Sequence, residues 1–126
     1  MLALRKLAAQ PGLALVEAPA PQAVSGTDVL IEVEAAGICG SDLHVDDWSA
    51  GYDFMVPLLP VTLGHEFSGR VAAVGPDVRS VAVGQRVAAW PSAPCGVCPA
   101  CKSGRPQNCA DKRTLGLYRD GAFAPR

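Results

Sequence analysis

A mainly β fold, a barrel or sandwich of short strands, is what this sequence predicts. Three observations carry that expectation. Thirteen glycines and eleven prolines break the 126 residues into short apolar runs, the pattern of many brief strands joined by tight turns. Those runs are rich in valine, which favours the pleated backbone. Only one segment, Ser41 to Trp48, has a helical look, and it is short.

Leu4–Leu7 and Leu13–Val16 read as the first two strands, separated by Gln10-Pro11-Gly12. The apolar N-terminus does not make an export leader. Arg5 and Lys6 are followed by that turn, and Glu17 interrupts the second apolar run. An intracellular, cytoplasmic setting follows, in which thiols stay reduced. The next strand covers Val29 to Ala35. It places Val29, Ile31, Val33 and Ala35 on one face, with Glu32 and Glu34 on the other. Phe67 to Val74 is a further strand, ending at Gly75-Pro76-Asp77, and Arg86 to Trp90 is another, entered through Gly84. Trp48, Tyr52, Phe54 and Met55 either line a substrate cleft or form an apolar loop packed on the barrel. The chain reads as one domain, residues 1–126, with a metal-nucleated lobe over residues 91–113.

That lobe carries the strongest chemical signal. Cys95, Cys98, Cys101 and Cys109 have the spacing C-x2-C-x2-C-x7-C. Four thiolates suit a closed, tetrahedral zinc site. An iron–sulfur site ranks second, because C-x2-C-x2-C also opens a ferredoxin run. Such a run continues with a three-residue gap, whereas here the gap is seven. Disulfides rank third. Lys102, Arg105, Lys112 and Arg113 lie nearby and are candidates to offset the negative charge of the thiolates; otherwise they solvate a surface loop.

The overall balance excludes other classes. A net charge of −1 argues against phosphate-driven nucleic-acid binding. No run approaches the roughly 20 apolar residues of a membrane span.

Two smaller motifs supply further ligand types: Gly37-Ile38-Cys39-Gly40-Ser41-Asp42-Leu43-His44, and Gly64-His65-Glu66. Each alone is weak, since a lone cysteine is usually a small buried hydrophobe. Together they offer a thiolate, an imidazole and a carboxylate, the donors of an open zinc site.

With these motifs the chain resembles the N-terminal catalytic domain of the zinc-dependent medium-chain alcohol, polyol and threonine dehydrogenases. Further matching pieces are Phe67-Ser68-Gly69, Val74-Gly75-Pro76-Asp77-Val78, Val83-Gly84-Gln85-Arg86-Val87 and Asp120-Gly121-Ala122-Phe123-Ala124. The resemblance implies a GroES-like barrel with short helices and a four-cysteine zinc lobe. It implies Cys39, His65 and Glu66 as ligands of a catalytic zinc, and the four clustered cysteines as ligands of a structural zinc. Asp42 would orient the ligand histidine. Ser41, otherwise a helix N-cap, would take the proton from a small-molecule alcohol substrate. His44, otherwise a helix-surface residue, would pass that proton to solvent.

The family's hydride acceptor is NAD(P), yet no G-x-G-x-x-G and no cofactor-binding residue are found here. The expectation is therefore a catalytic-domain fragment of a secondary-alcohol, polyol or threonine dehydrogenase, inactive as an isolated chain. A stand-alone zinc-binding or interaction module is the alternative. A co-chaperonin-like role rests on barrel shape alone. A homo-oligomer is compatible with the resemblance, which leaves the oligomeric state open. Gly40 stands where liver-type members carry arginine and points toward the polyol and threonine branch. Gln85 replaces the usual aspartate before Arg86.

Overall fold

The computed structural model describes residues 1–21 and 24–126. Alternating and valine-rich runs become strands, and glycine–proline turns separate them. β1 (Leu2–Lys6), β2 (Ala14–Glu17) and β4 (Val61–Thr62) form one sheet in the order β2-β1-β4. β3 (Val29–Gly37), β5 (Glu66–Val74) and β6 (Arg86–Ala88) form a second, in the order β3-β5-β6. β7 (Ser92–Ala93) and β8 (Arg113–Thr114) make a two-stranded ribbon. All pairings between these strands are antiparallel.

The β3–β5 pairing does most to place the site. It runs from Val29↔Val74 to Gly37↔Glu66, with irregularities after Leu30 and after Val33. Those irregularities break the clean alternation expected of Val29 to Ala35: Ile31 and Val33 are half-buried, but Val29 and Ala35 are exposed. A bulge shifts which face a side chain takes.

α1 (Gly40–Asp46) follows β3 directly, with Cys39 as its N-cap. The expected helix at Ser41–Trp48 therefore starts one residue earlier and stops two earlier. Ser41 lies inside the first turn, so it is not the N-cap. The helix cannot pass Trp48, whose φ of 52° is left-handed.

A 3-10 segment, Asp53–Leu58, leads into β4. The apolar core joins these pieces: Val45 of α1, Met55, and Val61 and Leu63 at β4 are buried, flanked by Leu13, Trp48, Tyr52, Leu58, Leu117 and Phe123. Burying each such large side chain contributes about 1.5–3 kcal/mol. Met55, Trp48 and Tyr52 thus belong to the core or its edge, while Phe54 is exposed and stacks on Tyr118 at 4.8 Å between ring centroids.

The C-terminal segment crosses over β4. The amides of Gly121, Ala122 and Phe123 donate to the carbonyls of Thr62, Gly64 and Leu63 at 2.9, 2.9 and 2.8 Å. Asp120 accepts from the Thr62 amide at 2.8 Å and from Arg5 at 3.1 Å. A Cβ on Gly121 would lie 2.1 Å from the Gly64 carbonyl oxygen, so only glycine permits this crossing. Gly64 itself has φ of 92° and faces the Phe123 ring. The backbone entering His65 is therefore held from both sides.

Two candidate metal centres

The first centre lies at the end of the β7–β8 ribbon. Ser92 and Thr114 hydroxyls share a hydrogen bond at 3.0 Å across the ribbon, fixing both ends of the cysteine loop. Inside the loop, α2 (Pro99–Lys102) has Cys98 as its N-cap and proline at its first position, where a missing amide costs nothing. A 3-10 turn, Pro106–Asn108, then delivers Cys109. The four sulfurs of Cys95, Cys98, Cys101 and Cys109 converge within 4.8 Å of one another. All five cysteines of the chain are free.

Backbone amides point at these sulfurs. The Cys95 amide donates to Cys109 Sγ at 3.3 Å and the Cys98 amide to Cys95 Sγ at 3.4 Å. The Cys98 and Cys101 sulfurs are 3.5 Å apart. The Cys101 amide holds the Cys98 thiol down at about 6. Burial and the proton shared with Cys98 push Cys101 up to about 12. The amides of Val97 and Cys98 lower Cys95. Four thiolates cannot all ionise this close without a cation among them, and soft sulfur donors of this number fit zinc. Three of the four neighbouring cations bond elsewhere in the lobe: Lys112 to the Gln107 carbonyl, Arg105 to the Ser103 hydroxyl and Arg113 to Asp111.

The second centre follows from the β3–β5 register. Gly37 opposes Glu66, so the chain just past β3 meets the chain just before β5. Cys39, His65 and Glu66 offer ligand atoms within 4.8 Å of one another. Cys39 is half-buried, His65 buried and Glu66 exposed, which leaves this group open on one side. The Glu66 carboxylate lies over Gly37, where a Cβ would stand 3.0 Å from Oε2.

Asp42 binds the turn together. Its Oδ2 accepts from the Cys39 amide at 2.9 Å. Its Oδ1 faces His65 Nδ1 at 3.6 Å, and both atoms are buried without a hydrogen-bond partner among the described residues. On the other side of the ring, Ser41 Oγ lies 3.3 Å from His65 Nε2. The imidazole is thus oriented by a carboxylate at one nitrogen and turns the other toward the open group. The donor set and the orphaned Nδ1–Oδ1 pair fit a metal bound by His65.

His44 is exposed on α1, with Nδ1 3.4 Å from Ser49 Oγ. Ser49 is not among the residues the sequence singles out, because it reaches His44 through the left-handed turn at Trp48. At Gln85, the side-chain oxygen accepts from the Ala82 amide at 3.1 Å, so glutamine supplies a turn contact where an aspartate was expected.

The sequence profile of the alcohol dehydrogenase GroES-like domain matches residues 25–126. Over 124 residues, 98% of this chain, the sequence is 43% identical to L-threonine 3-dehydrogenase from Saccharopolyspora erythraea, covering 36% of that protein. It is 46% identical to L-threonine 3-dehydrogenase from Symbiobacterium thermophilum over 127 aligned positions, 98% of this chain and 35% of that one. The chain thus spans about a third of the length of the curated relatives it matches. Among solved structures, galactitol-1-phosphate dehydrogenase from Escherichia coli superposes with a TM-score of 0.85 at 33% identity, covering 99% of this chain and 34% of that one. No helix among the described residues is long and apolar enough to cross a membrane.

Proposed function

The chain belongs to the alcohol dehydrogenase GroES-like domain family, and on that premise we propose that it is the zinc-binding catalytic domain of a cytoplasmic, NAD(P)-linked dehydrogenase. Its substrate is a small secondary alcohol of the threonine or polyol type. One observation carries the reading: Cys39, His65 and Glu66 converge on an open side while Asp42 and Ser41 bracket the imidazole. A non-catalytic zinc module would need the four-cysteine lobe but not this second, bracketed group.

Cys39, His65 and Glu66 would hold the catalytic zinc, and the four clustered cysteines the structural one. Bound there, zinc supplies Lewis acidity to the alcohol oxygen, lowering its pKa. The chain's own residues do the rest. Asp42 fixes the tautomer and orientation of His65. Ser41, held beside His65 by the first turn of α1, receives the alcohol proton. His44, at the solvent side of the same helix, carries a proton outward with Ser49 beside it. With that proton removed the carbinol carbon would be the hydride donor, and a nicotinamide bound by the rest of the enzyme would supply the acceptor.

A chimera tests this reading. The corresponding segment of the Symbiobacterium L-threonine 3-dehydrogenase is replaced by this chain, and NAD⁺ reduction with threonine, butanediol and sorbitol is followed. Turnover that disappears with Cys39→Ala and falls with Ser41→Ala supports the proposal. A folded, zinc-loaded chimera that is inert on all three substrates contradicts it.

A further inference from the structure

Lys6 is a lysine with no exposed surface at all. Its ammonium donates to three backbone carbonyls: Gln10, Gly12 at 3.1 Å and Asp46 at 3.0 Å. The first two belong to the β1–β2 turn, and the third is the last residue of α1. An ammonium has three N–H donors, and here each finds a carbonyl. A neutral amine has only two and would aim its lone pair at the third oxygen. Burial pushes the Lys6 pKa below the ordinary lysine value, while Asp46 and Asp47 oppose that shift. The charge also lies 5.3 Å from the centre of the Trp48 ring, over its face.

These contacts gather at one place, the C-terminal end of α1. The last carbonyls of a helix have no partner within it. Asp46 O is satisfied from outside twice, by Lys6 and by the Gly12 amide at 2.8 Å. One residue beyond the C-cap Asp47, Trp48 takes its left-handed conformation, unusual for so bulky a side chain. Directly after it, the Ser49 amide donates to the His44 carbonyl at 2.9 Å and the Ser49 hydroxyl meets His44 Nδ1. The path from Lys6 to His44 is therefore short and continuous: ammonium, Asp46 carbonyl and Trp48 ring, then the turn that returns Ser49 to His44.

We propose that Lys6 is a positioning residue for His44, holding the end of α1 and the Trp48 turn so that Ser49 fixes the His44 imidazole. This rests on the reading of His44 as the outer group of a proton relay.

The test uses Lys6→Met in this chain and in the chimera. The chain has two histidines, so the imidazole nitrogen resonances of His44 and His65 are separable by NMR. Lys6→Met should move the His44 nitrogens toward the averaged shifts of a free imidazole and leave those of His65 in place. In the chimera kcat should fall on the order of 10- to 100-fold with KM little changed, at or below the usual worth of a proton-transfer group. Added imidazole buffer should restore much of that loss, a rescue that a purely structural role would not show. If Lys6→Met does not fold, Lys6→Gln retains two of the three donors and should give the same selective displacement at smaller amplitude. A folded variant whose His44 signals match wild type overturns the role of Lys6 while leaving the dehydrogenase reading intact. An unsubstituted chimera without turnover strikes that reading instead, independently of the NMR result.

Discussion

Replacing Gly121 by alanine should unseat His65 from a distance of several residues. The new Cβ would lie 2.1 Å from Gly64 O, 2.7 Å from Leu63 O and 2.8 Å from Gly116 Cα, all of them backbone atoms. None can rotate away as a side-chain tip can. Ordinary contact distances of about 3.5 Å require the two segments to part by more than an ångström. That movement stretches the three hydrogen bonds from Gly121, Ala122 and Phe123 to Thr62, Gly64 and Leu63. Each contributes about 1 kcal/mol net, and overpacking adds about 1–3 kcal/mol. A total of about 4–6 kcal/mol is a large fraction of the ~5–15 kcal/mol that holds a domain together. At roughly 4 °C per kcal/mol for a chain of this size, the melting temperature should fall by about 15–25 °C. Because Gly64 precedes His65, metal affinity at the Cys39/His65/Glu66 group should drop as well, with the four-cysteine lobe keeping its ion. Calorimetry paired with cobalt absorption at each centre reads both effects. A Gly121→Ala chain melting within two or three degrees of wild type with both centres loaded would refute the claim that this crossing positions His65.

Gly40→Ala is the contrasting case: a Cβ added there meets nothing within 4 Å, so thermal melts should show no loss and a gain of up to about 1 kcal/mol from helix propensity. Asp42→Asn should keep the fold, judged by circular dichroism, yet weaken zinc at the His65 group by about 10–100-fold in competition titrations. Cys98→Ala should disorder residues 91–113, visible as lost amide protection, since structural zinc contributes on the order of 10 kcal/mol in small modules; Cys39→Ala should leave the melt nearly unchanged. Zinc at the lobe should be lost as pH falls, because protons compete for thiolates. With Cys98 at about 6 and Cys101 at about 12, binding must displace most of a proton from Cys101 even at neutral pH, so affinity should rise with pH through that range. Zinc titrations across pH 5 to 8 check the sign.

Strands with a clear apolar run were legible in the sequence: β1, β2, β3, β5 and β6 all lie where those runs put them, with ends shifted by at most two residues. The two-residue strands β4, β7 and β8 were not, because pairing partners far along the chain create them and two residues carry no period. The cysteine lobe was legible from spacing alone, since each short gap leaves little choice of where the sulfurs point. The second centre was legible as a set of donor types in two short motifs, but that the motifs meet was legible only through resemblance. Its three donors lie on two segments that meet through the β3–β5 register, and no local signal encodes that register. Lys6 and Ser49 were invisible for a related reason. A lysine that follows an arginine at the end of a short strand looks solvent-exposed, and nothing near it in sequence announces three carbonyls waiting in the interior.

On this proposal one chain holds two metal centres of different kind, a closed four-thiolate site and an open site at Cys39, His65 and Glu66. Counting zinc while recording cobalt absorption on wild type, Cys98→Ala and Cys39→Ala tests it most directly. Wild type should bind two ions, one of them with intense sulfur-to-cobalt charge transfer that Cys98→Ala removes, and a second, weaker-binding ion that Cys39→Ala removes without disturbing the first. A wild-type chain that binds a single ion under saturating metal, or a Cys39→Ala chain that loses the four-thiolate signal, would contradict it.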